Sequence, residues 1–364
     1  MKYLEEFRKP QLVKALSDKI HKVTTQPWTI MEVCGGQTHS IVKFGLQHLL
    51  PDSHRLIHGP GCPVCVTSEE IINHAIYIAK LPNLIMCSYG DMLRVPGDYG
   101  SLMQARAEGA DIRMIHSPLE VIDIATTHPT KQVVLFGIGF ETTAPAHAMT
   151  VYLTEKYKIA NLSLLSSHVL VPPALQYLLS DPQSEVKGFL AAGHVCTVAG
   201  YRKYQEIAAK YRVPIVITGF EPIDILQGIL TCTEMLEAND FSVKNPYYRC
   251  ASEQGNKHAI ELMDEVFTVA DTLWRGIGNI PASGLRLKDK YKAFDASLRF
   301  LLPNPSFSKH NLCLSGSILQ GKLSPKDCPF FNKECTPAHP LGAPMVSTEG
   351  ACSAYYLYSH QGSL

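Results

Sequence analysis

The chain has 364 residues, 46% hydrophobic and 18% charged, enough apolar material for sizeable cores and a composition unlike that of disordered chains. Its 33 Lys and Arg balance 33 Asp and Glu, so no net field draws it to nucleic acid or to an anionic membrane. No apolar run reaches the roughly 20 residues of a membrane span, and the mixed-charge start Met1–Pro10 has no signal-peptide apolar stretch, so the protein reads as cytoplasmic.

Residues 1–28 read as an amphipathic helix around Gln11–Ile20 followed by a polar link. Four short apolar runs come next: Thr29–Val33, Arg55–Ile57, Asn83–Met86 and Ile112–Ile115, with helical stretches such as Ile71–Lys80 between them. A second set repeats the theme at Gln132–Phe136, Leu162–Leu165, Gly188–Ala191 and Pro214–Ile217. Continuous apolar strands alternating with helices imply parallel sheets covered on both faces. The fold class is therefore α/β, with two lobes of similar construction, residues 29–128 and 129–229. Helical segments near Met235–Glu237 and Ala259–Val269 lead into a Pro- and Gly-punctuated tail. Residues 230–364, with 1–28, read as a loop- and helix-rich domain without a sheet of its own.

In open α/β sheets functional groups collect beyond the carboxyl ends of the strands. Cys34, Cys62, Asp91, Glu141, His194 and Glu221 all follow strands closely, which predicts one polar cleft lined by loops of both lobes. The sharpest motif is His58-Gly59-Pro60-Gly61-Cys62-Pro63-Val64-Cys65, two thiols in a tight turn between a strand and a helix. Thr67 or Ser68 would cap that helix, with Glu69 and Glu70 in its first turn. A helix start lowers a cysteine pKa and frees the thiolate as nucleophile or metal ligand. Cys34-Gly35-Gly36-Gln37-Thr38-His39 pairs a thiol with an imidazole, which suits soft-metal ligation or nucleophilic chemistry. Three thiols at neighbouring strand ends can meet at one point.

With 11 cysteines in a reducing compartment, a disulfide framework is not expected, and clustered thiols point to metal or catalysis. Cys313, Cys328, Cys335 and Cys352 crowd the tail. Four thiolates suit zinc or an iron–sulfur cluster, and the absence of a tight Cys-x2-4-Cys knuckle favours the cluster. His194 sits in a Gly-His loop on the cleft, whereas His168 reads as a structural residue. Asp91 and Glu141 could orient ligands or cap helices. Gly137-x-Gly139 lacks the third glycine and downstream acid of a dinucleotide fingerprint.

Taken together, Glu32-Val33-Cys34-Gly35-Gly36-Gln37-Thr38-His39, the Gly59–Cys65 turn, Gly90-Asp91-Met92-Leu93-Arg94-Val95-Pro96-Gly97, Gly139-Phe140-Glu141-Thr142-Thr143, Gly193-His194-Val195, Gly219-Phe220-Glu221-Pro222 and Ser347–Cys352 closely resemble the HypD family of hydrogenase maturation factors. The resemblance runs in family order from about residue 3 to 356. It implies two Rossmann-like lobes and a domain carrying a [4Fe-4S] cluster, acting with the small chaperone HypC and the cyanide donor HypE. Carried over, Cys34 would hold a transient iron bearing CN and CO ligands, the Fe(CN)2CO fragment of [NiFe]-hydrogenases. Cys62 and Cys65 would be a redox pair, and Cys313, Cys328, Cys335 and Cys352 would ligate the cluster. His39 and His194 join Cys34 as candidate site residues. Gln37 stands where relatives often have His, Cys196 where Ser is common, and Leu323 where some carry another cysteine.

Soft thiolates suit low-valent iron, and a dithiol exchanges two electrons as a disulfide. The residues also admit a second reading, a stand-alone thiol–disulfide oxidoreductase that uses a cluster to reduce Cys62 and Cys65 for a protein substrate. Cys34 separates the two, because an oxidoreductase does not need it and a carrier does.

Overall fold

The computed structural model describes residues 5–301 and 312–358. Each of the eight expected apolar runs is a strand: β1 (Trp28–Glu32), β2 (His54–His58), β3 (Leu84–Ser88), β4 (Asp111–Met114), β5 (Gln132–Gly139), β6 (Leu162–Val169), β7 (Gly188–Ala192) and β8 (Ile215–Thr218). β3 and β7 are buried along their whole length, as expected where helices cover both faces. The molecule is α/β, with two largely parallel sheets flanked by helices, the architecture of two Rossmann-like lobes.

The strands do not divide between the sheets by chain order. One sheet has the order β2-β1-β7-β8-β9, where β9 is the short strand Val243–Lys244, and every pairing in it is parallel. The other has the order β10-β11-β6-β5-β3-β4. Its added strands, β10 (Phe267–Trp274) and β11 (Gly278–Leu287), form an antiparallel hairpin that joins β6. Each sheet therefore draws on both of the expected lobes, 29–128 and 129–229. A strand buried on both faces carries nothing in its side chains to say which neighbour it pairs with. The hairpin also corrects the reading of residues 230–364 as sheet-free. The expected helix over Ala259–Val269 ends at Val266, where burial changes to the mostly exposed pattern of β10.

Four helices matter for the site: α1 (Pro10–Val23), α2 (Gly35–Lys43), α3 (Pro63–Val66) and α4 (Glu69–Ala79). The N-terminal helix α1 packs against the helix Pro222–Glu237 through Leu16 and Ile20. Ser68, not Thr67, caps α4 by accepting the Ile71 N–H at 3.5 Å. Among the described residues no helix is long and apolar enough to cross a membrane.

The Gly59-Pro60-Gly61 turn is pressed onto the end of β1. Gly59 N–H donates to Glu32 O at 2.7 Å and Gly35 N–H to Gly61 O at 3.1 Å. A Cβ on Gly61 would overlap the backbone of Cys34. Gly61→Ala is therefore expected to cost about 1–3 kcal/mol, the usual penalty of overpacking. A urea-unfolding midpoint equal to that of the parent would contradict this close approach.

Candidate functional site

In the first sheet, chain connections leave β1 toward β2 and β7 toward β8, so the strand order reverses between β1 and β7. Such a reversal opens a crevice at the strands' carboxyl ends. The loops after these two strands carry Cys34 and His194. Cys34 is the N-cap of α2, and His194 opens the helix Gly193–Ala199. The Cys34 Sγ lies 3.9 Å from both ring nitrogens of His194. Phe220 packs beside this pair, its ring centroid 4.9 Å from that of His194, and also lies on Gly36.

The thiol of Cys34 is pushed above the usual range, first by burial and then by the negative charges of Glu32 and Glu349. Backbone N–H groups of Gln37 and Gly36 at the helix start offset this only in part. Cys34 is therefore held as a thiol, and a bound cation would be needed to draw off its proton. Burial pulls His194 down to about 4, so its imidazole is neutral near pH 7. A buried thiol facing a neutral imidazole is a soft-donor pair, better suited to a metal than to ion-pair activation of a nucleophile.

Cys62 and Cys65 form a disulfide with their Cα atoms 5.2 Å apart, and both are buried. Cys62 caps α3, its Sγ accepting the Cys65 N–H at 3.3 Å. Gly61 lies on the Cys34 backbone, so the disulfide and the thiol belong to adjoining turns.

The four tail cysteines line one largely apolar cavity, with Ile318, Phe330 and Met345 among its walls. The turn from Cys328 to Cys335 folds back on itself, Cys335 N–H donating to Phe330 O at 3.0 Å and Phe331 N–H to Cys328 O at 3.0 Å. Cys335 Sγ accepts the Leu341 N–H at 3.4 Å. Burial raises Cys335 and Cys352, and the charges of the neighbouring thiolates raise both further. Four thiolates in so apolar a cavity repel one another unless a cationic group sits among them, so the donor set fits a thiolate-bound metal cluster. Among the described residues no three His, Cys, Asp or Glu side chains are grouped closely enough to hold a metal ion.

The helix Ala343–Val346 separates the cavity from the disulfide. Its Met345 lines the cavity, while Ala343 and Val346 share a core with Cys62 and Cys65. It also packs on α3. Arg94, paired with Asp91 at 2.9 Å, fixes its end by donating to Val346 O at 2.9 Å.

The other expected site residues are elsewhere. His39 turns away from Cys34 toward the tail, its ring nitrogens 3.3 Å from Thr348 O and from the Tyr358 hydroxyl. Gln37 donates to Ala191 O at 3.3 Å, tying α2 to β7, while its own oxygen is buried without a partner among the described residues. His168 is buried between His147 and Phe267, a core residue as its loop suggested. Glu141 accepts the Val171 N–H at 3.0 Å at the start of the helix Val171–Ser180.

Burial pushes Glu141 from an ordinary 4.5 up to about 7. For an acid shifted upward, the folded state holds its proton longer than the unfolded chain. Stability linked to Glu141 is thus complete below about pH 4.5 and is lost as pH rises through about 7. Glu141→Gln keeps the acceptor and removes the charge. It is expected to flatten that limb and to raise stability at pH 8 by about 2–3 kcal/mol. Parallel pH–stability curves for the two proteins would contradict this.

Two residues at the centre of the site were not among those expected. Glu32 and His58 are register partners at the ends of β1 and β2, both fully or almost fully buried. Glu32 accepts the Cys34 N–H at 2.8 Å and the Thr38 hydroxyl, and lies 2.7 Å from His58 Nδ1. Paired polar residues closing two apolar strands, just ahead of Cys34 and of the Gly59-Pro60-Gly61 turn, were the available signal.

The HypD family, described as the hydrogenase formation hypA family, matches residues 11–359. The chain belongs to the HypD family. It is 42% identical over 368 residues to hydrogenase maturation factor HypD2 of Bradyrhizobium diazoefficiens, covering 98% of this chain and 97% of that one. It is 41% identical over 370 residues to the HypD of Rhodobacter capsulatus, covering 98% of each. Against the HypD of Escherichia coli it is 40% identical over 371 residues and the full length of both. The thiols of this HypD-family chain singled out above fall in three groups: Cys34 after β1, the Cys62–Cys65 turn, and the tail cavity.

Proposed function

We propose that this HypD-family chain is a hydrogenase maturation scaffold, on which an Fe(CN)2CO fragment is assembled as cargo at Cys34. The observation that carries the reading is the Cys34 thiol at the sheet's crevice, 3.9 Å from a neutral His194 and against the turn of a buried disulfide. A soft thiol that is not ionised in isolation gains most from a metal cargo, which supplies the charge that draws off its proton. A HypC-type chaperone providing a second thiolate and a HypE-type protein providing cyanide belong to the proposal through the family.

Cys313, Cys328, Cys335 and Cys352 would hold a [4Fe-4S] cluster, which supplies electrons one at a time when bound. The disulfide takes up two electrons and two protons to give two thiols, so its reduction needs two deliveries. The helix Ala343–Val346 offers a short packed route between cavity and disulfide. Phe220 and Glu32 contribute by position: the ring packs against the imidazole, and the carboxylate fixes the Cys34 backbone.

The role of the redox pair is tested with a Cys62→Ser and Cys65→Ser double variant. Hydrogenase activity in a strain relying on it is expected to fall to background while the iron–sulfur absorption stays. Parental hydrogenase activity would contradict a redox role for the pair.

A further inference from the structure

The terminal helix Ala351–Tyr358 brings Cys352 to the cavity and Tyr355, three residues on, to the Cys34 network. The Tyr355 hydroxyl lies 3.0 Å from His58 Nε2 and 3.3 Å from Gln47 Oε1. The other nitrogen of His58 lies 2.7 Å from Glu32, whose second oxygen accepts the Cys34 N–H at 2.8 Å. A continuous chain of polar contacts thus runs from a cysteine-bearing helix to the backbone of the crevice cysteine. Glu32, His58 and Tyr355 are all buried, where such contacts hold geometry firmly.

The same helix reaches α2 in two further places. Tyr358 meets the ring of His39 edge-on at 5.1 Å. In the loop before the helix, Glu349 is packed so closely on Gly35 that a Cβ there would lie 2.6 Å from the Glu349 Cβ. Cys34 is the N-cap of α2, so the start and the middle of its helix are gripped by the segment that carries Cys352.

We propose that Tyr355, His58 and Glu32 are positioning residues through which filling of the four-cysteine cavity fixes the Cys34 loop. The inference rests on the reading that the cavity binds an iron–sulfur cluster. A bound group can shift a conformation only through contacts that differ between the two states. Here the differing contact is the bond to Cys352, formed only when the terminal helix is docked. Docking places Tyr355 on His58, and His58 then holds Glu32 against the Cys34 N–H. Thermodynamic reciprocity follows: cargo on Cys34 tightens cluster retention by the same factor. The order of loading is thereby set, because a chain with an empty cavity presents a loose Cys34.

The test is the rate of Cys34 alkylation by iodoacetamide, read by peptide mass on the full-length chain under anaerobic conditions. Four samples are compared: parent and Tyr355→Phe, each with the cluster in place and after removal by chelator. Stripping the parent is expected to accelerate Cys34 alkylation on the order of tenfold. Tyr355→Phe with its chromophore intact is expected to show most of that acceleration already, with stripping adding less than about twofold. His58→Gln takes the place of Tyr355→Phe if the latter does not retain the chromophore. Equal rates in loaded and stripped parent overturn the proposal. So do effects of stripping and substitution that simply multiply, the result for two independent structural perturbations. Failure of the parent to acquire an iron–sulfur chromophore on anaerobic reconstitution would sink the cofactor reading and the coupling with it. A chromophore with no change in alkylation would sink the coupling alone.

Discussion

Cys352→Ala is expected to abolish the visible iron–sulfur absorption of the purified chain, and Cys328→Ala to do the same. Burial holds the Cys352 thiol well above its usual range, and the charges of the other three tail cysteines raise it further. The tail's own core is small, with Ile318, Met345 and Ala351 its buried residues besides Cys335 and Cys352. So little apolar surface does not hold a loop-rich segment alone, and metal–ligand bonds then act as folding energy. Limited proteolysis of either variant is therefore expected to cut within the last fifty-odd residues while leaving the two sheets intact. Cys87→Ala and Cys232→Ala serve as controls. Both cysteines are buried in cores distinct from the tail, and both substitutions should keep the chromophore. Parental iron content in both Cys328→Ala and Cys352→Ala would contradict the ligand assignment.

Cys34→Ala is expected to lower hydrogenase maturation by on the order of 100-fold or more. Loss of an outer-sphere partner of a metal site already costs 10- to 100-fold, and Cys34 is assigned as the direct ligand. The chromophore and the Cys62–Cys65 couple should survive, since neither uses this sulfur. Cys34→Ser should not rescue, because a hard hydroxyl is a poor ligand for low-valent iron. A Cys34→Ala chain that matures hydrogenase at the parental level would favour the stand-alone thiol–disulfide oxidoreductase instead.

The thiols were legible in the sequence because a Cys-x-x-Cys inside a Gly-Pro-Gly turn has few structural uses. The eight apolar strands were equally plain. Their assignment to sheets was not: β1 and β2 lie with β7 and β8, while β3 and β4 lie with β5 and β6. The crevice holding Cys34 and His194 exists only because β1 neighbours β7, a pairing between residues more than 150 apart that no local pattern encodes. β10 was hidden for another reason. Its Thr268, Val269 and Asp271 are exposed on an edge strand directly after a helix, where neither period is clear. Glu32 carries little local signal, since its partner His58 comes from another strand and is held in turn by Tyr355 from the tail. His39 shows the converse: near Cys34 in sequence, it sits one turn along α2 and is claimed by Thr348 and Tyr358.

The account turns on iron cargo at Cys34, and the infrared spectrum of the chain, purified anaerobically under reducing conditions from cells assembling hydrogenase, tests it most directly. Cyanide and carbonyl stretching bands are predicted in the parent and none in Cys34→Ala. Reproducible absence of both bands from a parent chain that retains its iron–sulfur chromophore would contradict it.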